Sequence, residues 1–178
     1  MELTEKRLDR KDIFDGRVVQ VHVDTVRLPN GKTSTREVVE HPGGVAVVAI
    51  DDADNVLLVR QYRYVFSREL DEIPAGKLES GEDPHEAALR ELREETGAIP
   101  GEFIPMGSLY ASPGCYGEVL HLYLARNLTL GEQALDENEF LNVLRVPFDE
   151  MVRRVMGGEI ADAKTIAGIL KAKVLLNR

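Results

Sequence analysis

The chain has little of several things, and each shortage narrows what it can be. It contains a single cysteine, Cys115, among 178 residues. An internal disulfide and a cysteine-based zinc site are therefore both ruled out. Its four histidines, His22, His41, His85 and His121, are scattered with no HExxH-type spacing, and nothing in the sequence brings one of them to Cys115 as a catalytic partner. No apolar run approaches the length of a membrane span, and MELTEKRLDRKD at the start lacks the apolar core of a signal peptide, which leads us to expect a cytoplasmic protein. Positive charge is also short. A formal net charge of −9 argues against nucleic acid or an anionic membrane as the main partner, since both reward a basic surface. No repeat or low-complexity tract is present. What remains, 43% hydrophobic and 30% charged residues, is ordinary globular composition, enough for one substantial core with a small appendage.

The informative stretch is GKLESGEDPHEAALRELREETGA, residues 76–98. Asp83 suits an N-cap, Pro84 the first helical position and Gly97 a left-handed helix stop, so the spacing predicts a helix over 84–96. At 100° per residue, Ala88, Leu89, Leu92 and Thr96 share one sector, and Glu91, Glu94 and Glu95 lie beside it. On spacing alone this is also how a solvated acidic face looks, where an i, i+4 pair of like charges costs only about 0.2–0.5 kcal/mol. Partly buried, the same pair at about 4 Å and an effective dielectric near 20 would repel by roughly 4 kcal/mol. A divalent cation would then be needed, and carboxylate oxygens suit Mg²⁺ or Mn²⁺, especially where substrate phosphates complete the coordination.

Gly76, five residues, Glu82, seven residues and then Arg90-Glu91-Leu92-Arg93-Glu94-Glu95-Thr96-Gly97 resembles the signature of the Nudix hydrolases. Ala98 stands where that pattern usually has a bulky aliphatic residue, a departure that touches packing and no acid. The resemblance implies that Glu91 and Glu95 ligate metal, that Glu94 is a ligand or a partner to one, that Ala75 offers its backbone carbonyl, and that Arg90 orients the carboxylates. Mg²⁺ is the implied cofactor, with Mn²⁺ able to substitute.

Upstream, residues 13–28 alternate as a strand with Val19, Val21, Val23 and Thr25 on one face. Pro29-Asn30-Gly31-Lys32 signals a turn, and 33–41 the returning strand. Two strands cannot stand alone and must pack on their own domain or on a second subunit. Residues 36–44 resemble the entry to the main fold in the ADP-ribose pyrophosphatase branch of the Nudix family, where N-terminal strands are often exchanged across a homodimer. By that likeness Arg36 and Glu37 contact substrate; a cross-strand ion pair is the other reading. Arg17 follows Gly16 where some members carry an aromatic stacking residue. Residues 45–50 and 56–59 read as a buried hairpin. Arg63 then reads as a phosphate or base contact, matching a substrate arginine of the branch, or as an edge charge paired with Glu69 or Glu72.

After the helix, strands are predicted over 103–111, 119–125 and 140–146, a short helix over 148–156, and a final helix over 161–176 with Ile166, Ile169, Leu170 and Val174 buried. Ser112-Pro113-Gly114, followed by Glu118, resembles a mark of the ADP-ribose branch. Glu137-Asn138-Glu139 resembles its mobile loop, which carries the general base, matching Glu137 with the neighbouring Glu139 as the alternative, and Asp162-Ala163-Lys164-Thr165 resembles the start of its last helix.

The expectation is thus an α/β Nudix fold, an α/β/α sandwich on a mixed sheet. Residues 1–42 would form an N-terminal β subdomain serving dimerisation, and 43–178 the hydrolase domain. The implied reaction is hydrolysis of ADP-ribose to AMP and ribose 5-phosphate. NADH, a GDP-sugar or an oxidised nucleoside triphosphate is the alternative substrate, and a nucleotide-sensing module without turnover the alternative class.

Overall fold

The computed structural model describes residues 2–178, which fold as two compact units. One runs from the N-terminal strands to Gly43 and includes Tyr110–Val119; the other comprises Gly44–Leu109 and Leu120–Arg178.

The first unit is an antiparallel meander of β1 (Lys6–Asp15), β2 (Gln20–Arg27) and β3 (Thr33–Glu40). Where one strand was expected over 13–28 there are two, because the Gly16 amide bonds the Val19 carbonyl at 3.0 Å and reverses the chain. All ten residues of β1 are exposed and mostly charged, so it carries no alternation to read. The more buried face of β2 is not the one that carries Val21, Val23 and Thr25. His22, Asp24 and Val26 are buried, and Val21, Val23 and Thr25 are only half-buried. Charge pairing decides the matter. Arg10, itself exposed, donates to the buried Asp24 at 3.0 Å and to the exposed Glu40 at 2.9 Å, and the buried His22 lies beside both acids, so the charge of Asp24 is compensated where it is buried. The predicted turn is present, with Gly31 at φ +83° and Lys32 N–H donating to Asn30 Oδ1 at 3.0 Å.

The second unit is built around β4 (Gly44–Ile50), every residue of which is buried. It lies between β9 (Tyr116–Leu130), parallel to it, and β5 (Asn55–Arg63), antiparallel to it. β10 (Leu141–Pro147) and β6 (Arg68–Glu72) pair with β5, β7 (Ala75–Lys77) pairs with β4, and β8 (Ala98–Ser112) pairs with β9. Both faces of β4 are covered, which is why its sequence is continuously apolar. Val45, Val47 and Ala49 pack with Ala88 and Leu92 of α1 (Pro84–Thr96). Ala46, Val48 and Ile50 pack with Phe148 and Met151 of α2 (Phe148–Met156) and with Ile169 and Ala172 of α3 (Ala163–Leu175). This is the α/β/α sandwich on a mixed sheet. α3 approaches closely at Gly168, where a β-carbon would stand 2.9 Å from Val48.

The short strands β6 and β7 were not legible, and Val174 is 76% exposed where burial was expected. The residues of α3 that face the sheet are Thr165, Gly168, Ile169 and Ala172, one turn-spaced stripe that leaves Val174 on the outer side. Among the described residues no helix is long and apolar enough to cross a membrane.

Candidate active site

The site begins with how α1 is capped. Asp83 accepts N–H bonds from His85 at 2.9 Å and Glu86 at 3.3 Å, Pro84 opens the helix, and Gly97 closes it at φ +70° with its amide on the Arg93 carbonyl. These ends fix the helix phase. Leu92 and the Ala87–Ala88 pair go inward, and Glu95 goes with them until only 1% of it is exposed.

Glu95 has one hydrogen bond to its carboxylate, from the Ala75 amide at 2.9 Å. Burial, with the charges of Glu91 and Glu139 added, pushes it up to about 8. Burial also raises Glu91, and Arg90 only partly offsets the effect. Arg90 grips Glu82 with two nitrogens at 2.9 and 3.1 Å, while its third nitrogen reaches Glu91 at 2.8 Å and Glu94 at 3.0 Å. Glu82 in turn accepts the Glu79 amide at 3.0 Å and is held below its usual range chiefly by Arg90. The two ends of the signature are therefore one ion-paired unit. A β-carbon at Gly76 would overlap the Glu91 carboxylate, so glycine leaves that carboxylate free to lie where it does.

This donor set fits a hard divalent cation. A buried carboxylate, Glu95, and a half-buried one, Glu91, lie side by side, both ionise with difficulty, and Arg90 partly compensates Glu91 alone. Among the described residues no three acids, histidines or cysteines already converge as a ligand set.

The loop 131–140 is tied to the end of α1. Gly131 N–H bonds the Gly97 carbonyl at 2.8 Å, Gln133 Nε2 the Glu95 carbonyl at 2.6 Å and Ala134 N–H the Glu94 carbonyl at 2.9 Å, satisfying carbonyls that a helix terminus leaves open. Within this loop Glu139 is half-buried and its charge raises both Glu91 and Glu95, whereas Glu137 is exposed.

Arg63 forms a two-point pair with Glu72, at 2.7 and 2.6 Å, one of the partners the sequence allowed. Burial pushes Glu72 up, but Arg63 and Lys164 outweigh it and hold the carboxyl below its ordinary 4.5. The stability Glu72 contributes is therefore fully present above about pH 4.5 and is lost as pH falls through the lowered folded value. Thermal unfolding across pH is expected to show a Tm gap between wild type and Glu72→Gln that closes on acidification; a gap independent of pH would contradict this ionisation state.

Other predicted residues lie in the first unit. Arg36 pairs with Glu5 and donates to the Thr35 carbonyl at 2.8 Å, while Glu37 is exposed opposite Val23. Pro113 and Gly114 form the exposed β8–β9 turn, and Glu118 lies 3.7 Å from His41. The structure thus gathers Ala75, Arg90, Glu91, Glu94, Glu95 and Glu139 on the second unit. Glu82, Gln133 and Lys164 join the site without a role assigned from sequence; the fixed interval from Glu82 to Arg90 and the likeness over 162–165 are the signals that point to two of them.

A helix that buries Glu95, sets Glu91 half-buried beside it and joins Glu82, Glu91 and Glu94 through Arg90 suits a hydrolase that uses a divalent cation. Comparison with known families makes the class specific: residues 40–167 match the NUDIX domain, and residues 5–39 match the nucleoside diphosphate sugar hydrolase N-terminal domain. The chain belongs to the Nudix family and is a Nudix pyrophosphohydrolase. It is 44% identical to an ADP-ribose pyrophosphatase of Bacillus subtilis (strain 168), over 94% of this chain and 91% of that protein. It is 46% identical to a methanol dehydrogenase activator of Bacillus methanolicus, over 93% and 90% respectively. An ADP-ribose pyrophosphatase of Mycobacterium tuberculosis (strain ATCC 25618 / H37Rv) is 40% identical, over 92% and 80%. The fold matches a crystal structure of an ADP compounds hydrolase with a TM-score of 0.87, covering 99% of this chain and 97% of that one at 22% identity.

Proposed function

We propose that this chain hydrolyses the pyrophosphate bond of ADP-ribose, giving AMP and ribose 5-phosphate, with Mg²⁺ as cofactor and Mn²⁺ able to replace it. The observation that carries the reading is the buried Glu95 with the half-buried, Arg90-bound Glu91 beside it, in a chain that is 44% and 40% identical to two ADP-ribose pyrophosphatases. Glu91, Glu95 and Glu94, with the Ala75 carbonyl, would hold the cation, which supplies charge neutralisation at the diphosphate and a more acidic water. Arg90 orders Glu91 and Glu94 through its hydrogen bonds to both, and the cation itself would favour the ionised form of Glu95. Glu137 takes the proton of the attacking water. Glu139, whose charge already bears on Glu91 and Glu95, serves the cation instead, and a carboxylate neutralised in that way is a poor base. Arg63 binds a substrate phosphate with the nitrogen that Glu72 leaves unused. Arg36, Glu37, Pro113, Gly114 and Glu118 contact the nucleotide or ribose.

A panel of ADP-ribose, NADH, GDP-mannose and an oxidised nucleoside triphosphate, assayed with Mg²⁺ and product analysis, is expected to rank ADP-ribose first in kcat/KM. A different leader would overturn the substrate assignment. A second reading, activation of an alcohol dehydrogenase, has support from the 46% identity to the methanol dehydrogenase activator. Its check is dehydrogenase turnover with and without this chain.

The 1–42 segment is the dimerisation element in this reading, its strands exchanged between two copies. Sedimentation at micromolar concentration is expected to give a dimer. A fully active monomer would refute it.

A further inference from the structure

We propose that the first turn of α3 is a positioning element for the hydrolase site, in which Lys164 sets the Arg63 guanidinium through Glu72 and Thr165 sets the Ala75 peptide through the Ile73 amide. The inference rests on the assignment of Arg63 to substrate and of Ala75 with Glu95 to the cation, and adds residues to which that assignment gives no role.

The geometry runs through one buried acid. Glu72 is 1% exposed and its two oxygens receive Nε and Nη2 of Arg63 at 2.7 and 2.6 Å. Lys164 Nζ is the second cation on Glu72, and its own outer contact is Asp162 at 3.0 Å. A buried carboxylate with a single positive partner is poorly compensated; with two it stays ionised and presents both oxygens in one plane. That plane fixes the guanidinium. Two of Arg63's five N–H donors are spent on Glu72, leaving those on Nη1 and one on Nη2 for an anion, in an orientation Arg63 could not hold on a mobile acid. The side chain is 40% exposed, so Arg63 is accessible to a ligand.

The neighbouring residue works on the other half of the site. Thr165 Oγ1 accepts the buried Ile73 amide at 2.9 Å and donates to Asp162 Oδ2 at 2.5 Å. Ile73 is two residues before Ala75, with Pro74 between them, so a fixed Ile73 amide leaves the Ala75 peptide little freedom. The Ala75 N–H is the one that holds Glu95. Asp162 also caps α3 by accepting the Thr165 amide at 3.0 Å, so one carboxylate sets both side chains. Lys164 and Thr165 are adjacent in sequence yet serve different subsites. They should therefore fail differently.

Steady-state kinetics with ADP-ribose and calorimetric titration of Mn²⁺ separate the two. Lys164→Met is expected to raise KM about tenfold or more with kcat within about threefold and Mn²⁺ affinity unchanged, and Lys164→Arg to recover most of the KM. Arg63→Ala should raise KM alone, and Lys164→Met added to it should do nothing further, because both act through one interaction. Thr165→Val should weaken Mn²⁺ binding about fivefold in calorimetry and raise the Mg²⁺ needed for half-maximal rate, with KM at saturating Mg²⁺ unchanged and Thr165→Ser restoring both. If Lys164→Met does not fold, Glu72→Gln, which keeps the shape and removes the charge, must give the same KM effect and the same non-additivity with Arg63→Ala.

An unchanged KM in Lys164→Met, or effects that multiply with Arg63→Ala, would overturn the Lys164 half. Unchanged Mn²⁺ affinity in Thr165→Val would overturn the other. Should Arg63→Ala itself leave KM unchanged, the assignment of Arg63 to substrate has failed, and the Lys164 half falls with it.

Discussion

Glu95→Gln is expected to lower kcat/KM by about 10³-fold, equivalent to about 4 kcal/mol of transition-state stabilisation, while the protein remains folded. The fold should tolerate the change because glutamine keeps an oxygen for the Ala75 amide, 2.9 Å away, and removes a charge that burial already disfavours. The Tm of the metal-free variant should accordingly equal or exceed that of wild type, and the rise in Tm that Mg²⁺ gives the wild type should be lost. Near-wild-type turnover at ordinary Mg²⁺ would remove Glu95 from the cation site. A collapsed Tm would mean that its role is structural.

Glu137→Gln is expected to lower kcat by about 10²–10⁴-fold, the usual contribution of a positioned base, with KM and Mg²⁺ requirement near wild type. Glu139→Gln should do something different: a raised Mg²⁺ requirement with kcat largely recovered at saturation, because its charge acts on Glu91 and Glu95. Measuring kcat across Mg²⁺ concentration for both variants decides the assignment. If Glu139→Gln shows the unrecoverable loss and Glu137→Gln does not, the two roles are reversed.

The parts of this protein that could be read from sequence are those set by near neighbours. α1 and α2 lie over the predicted residues because caps and apolar period are local properties. The continuous run in β4 announced a strand covered on both faces, and the Gly76 to Gly97 spacing announced the acid cluster. What escaped depends on distant partners. Lys164 meets Glu72 from 92 positions away, and Gln133 reaches the Glu95 carbonyl from 38 away. The burial of Asp24 on β2 goes with Arg10 bridging Asp24 and Glu40, a pairing that no period reveals. β1 was hidden because strand pairing to β2, and not an apolar face, makes it a strand.

The tether of the 131–140 segment to α1 also sets a leash length. Ala134 is the last residue fastened to the helix, and an extended chain advances at most about 3.6 Å per residue, so Glu137 is confined to within about 11 Å of that anchor. Lengthening the chain between Ala134 and Glu137 would loosen this leash, whereas an insertion ahead of Gly131 would leave its radius unaltered.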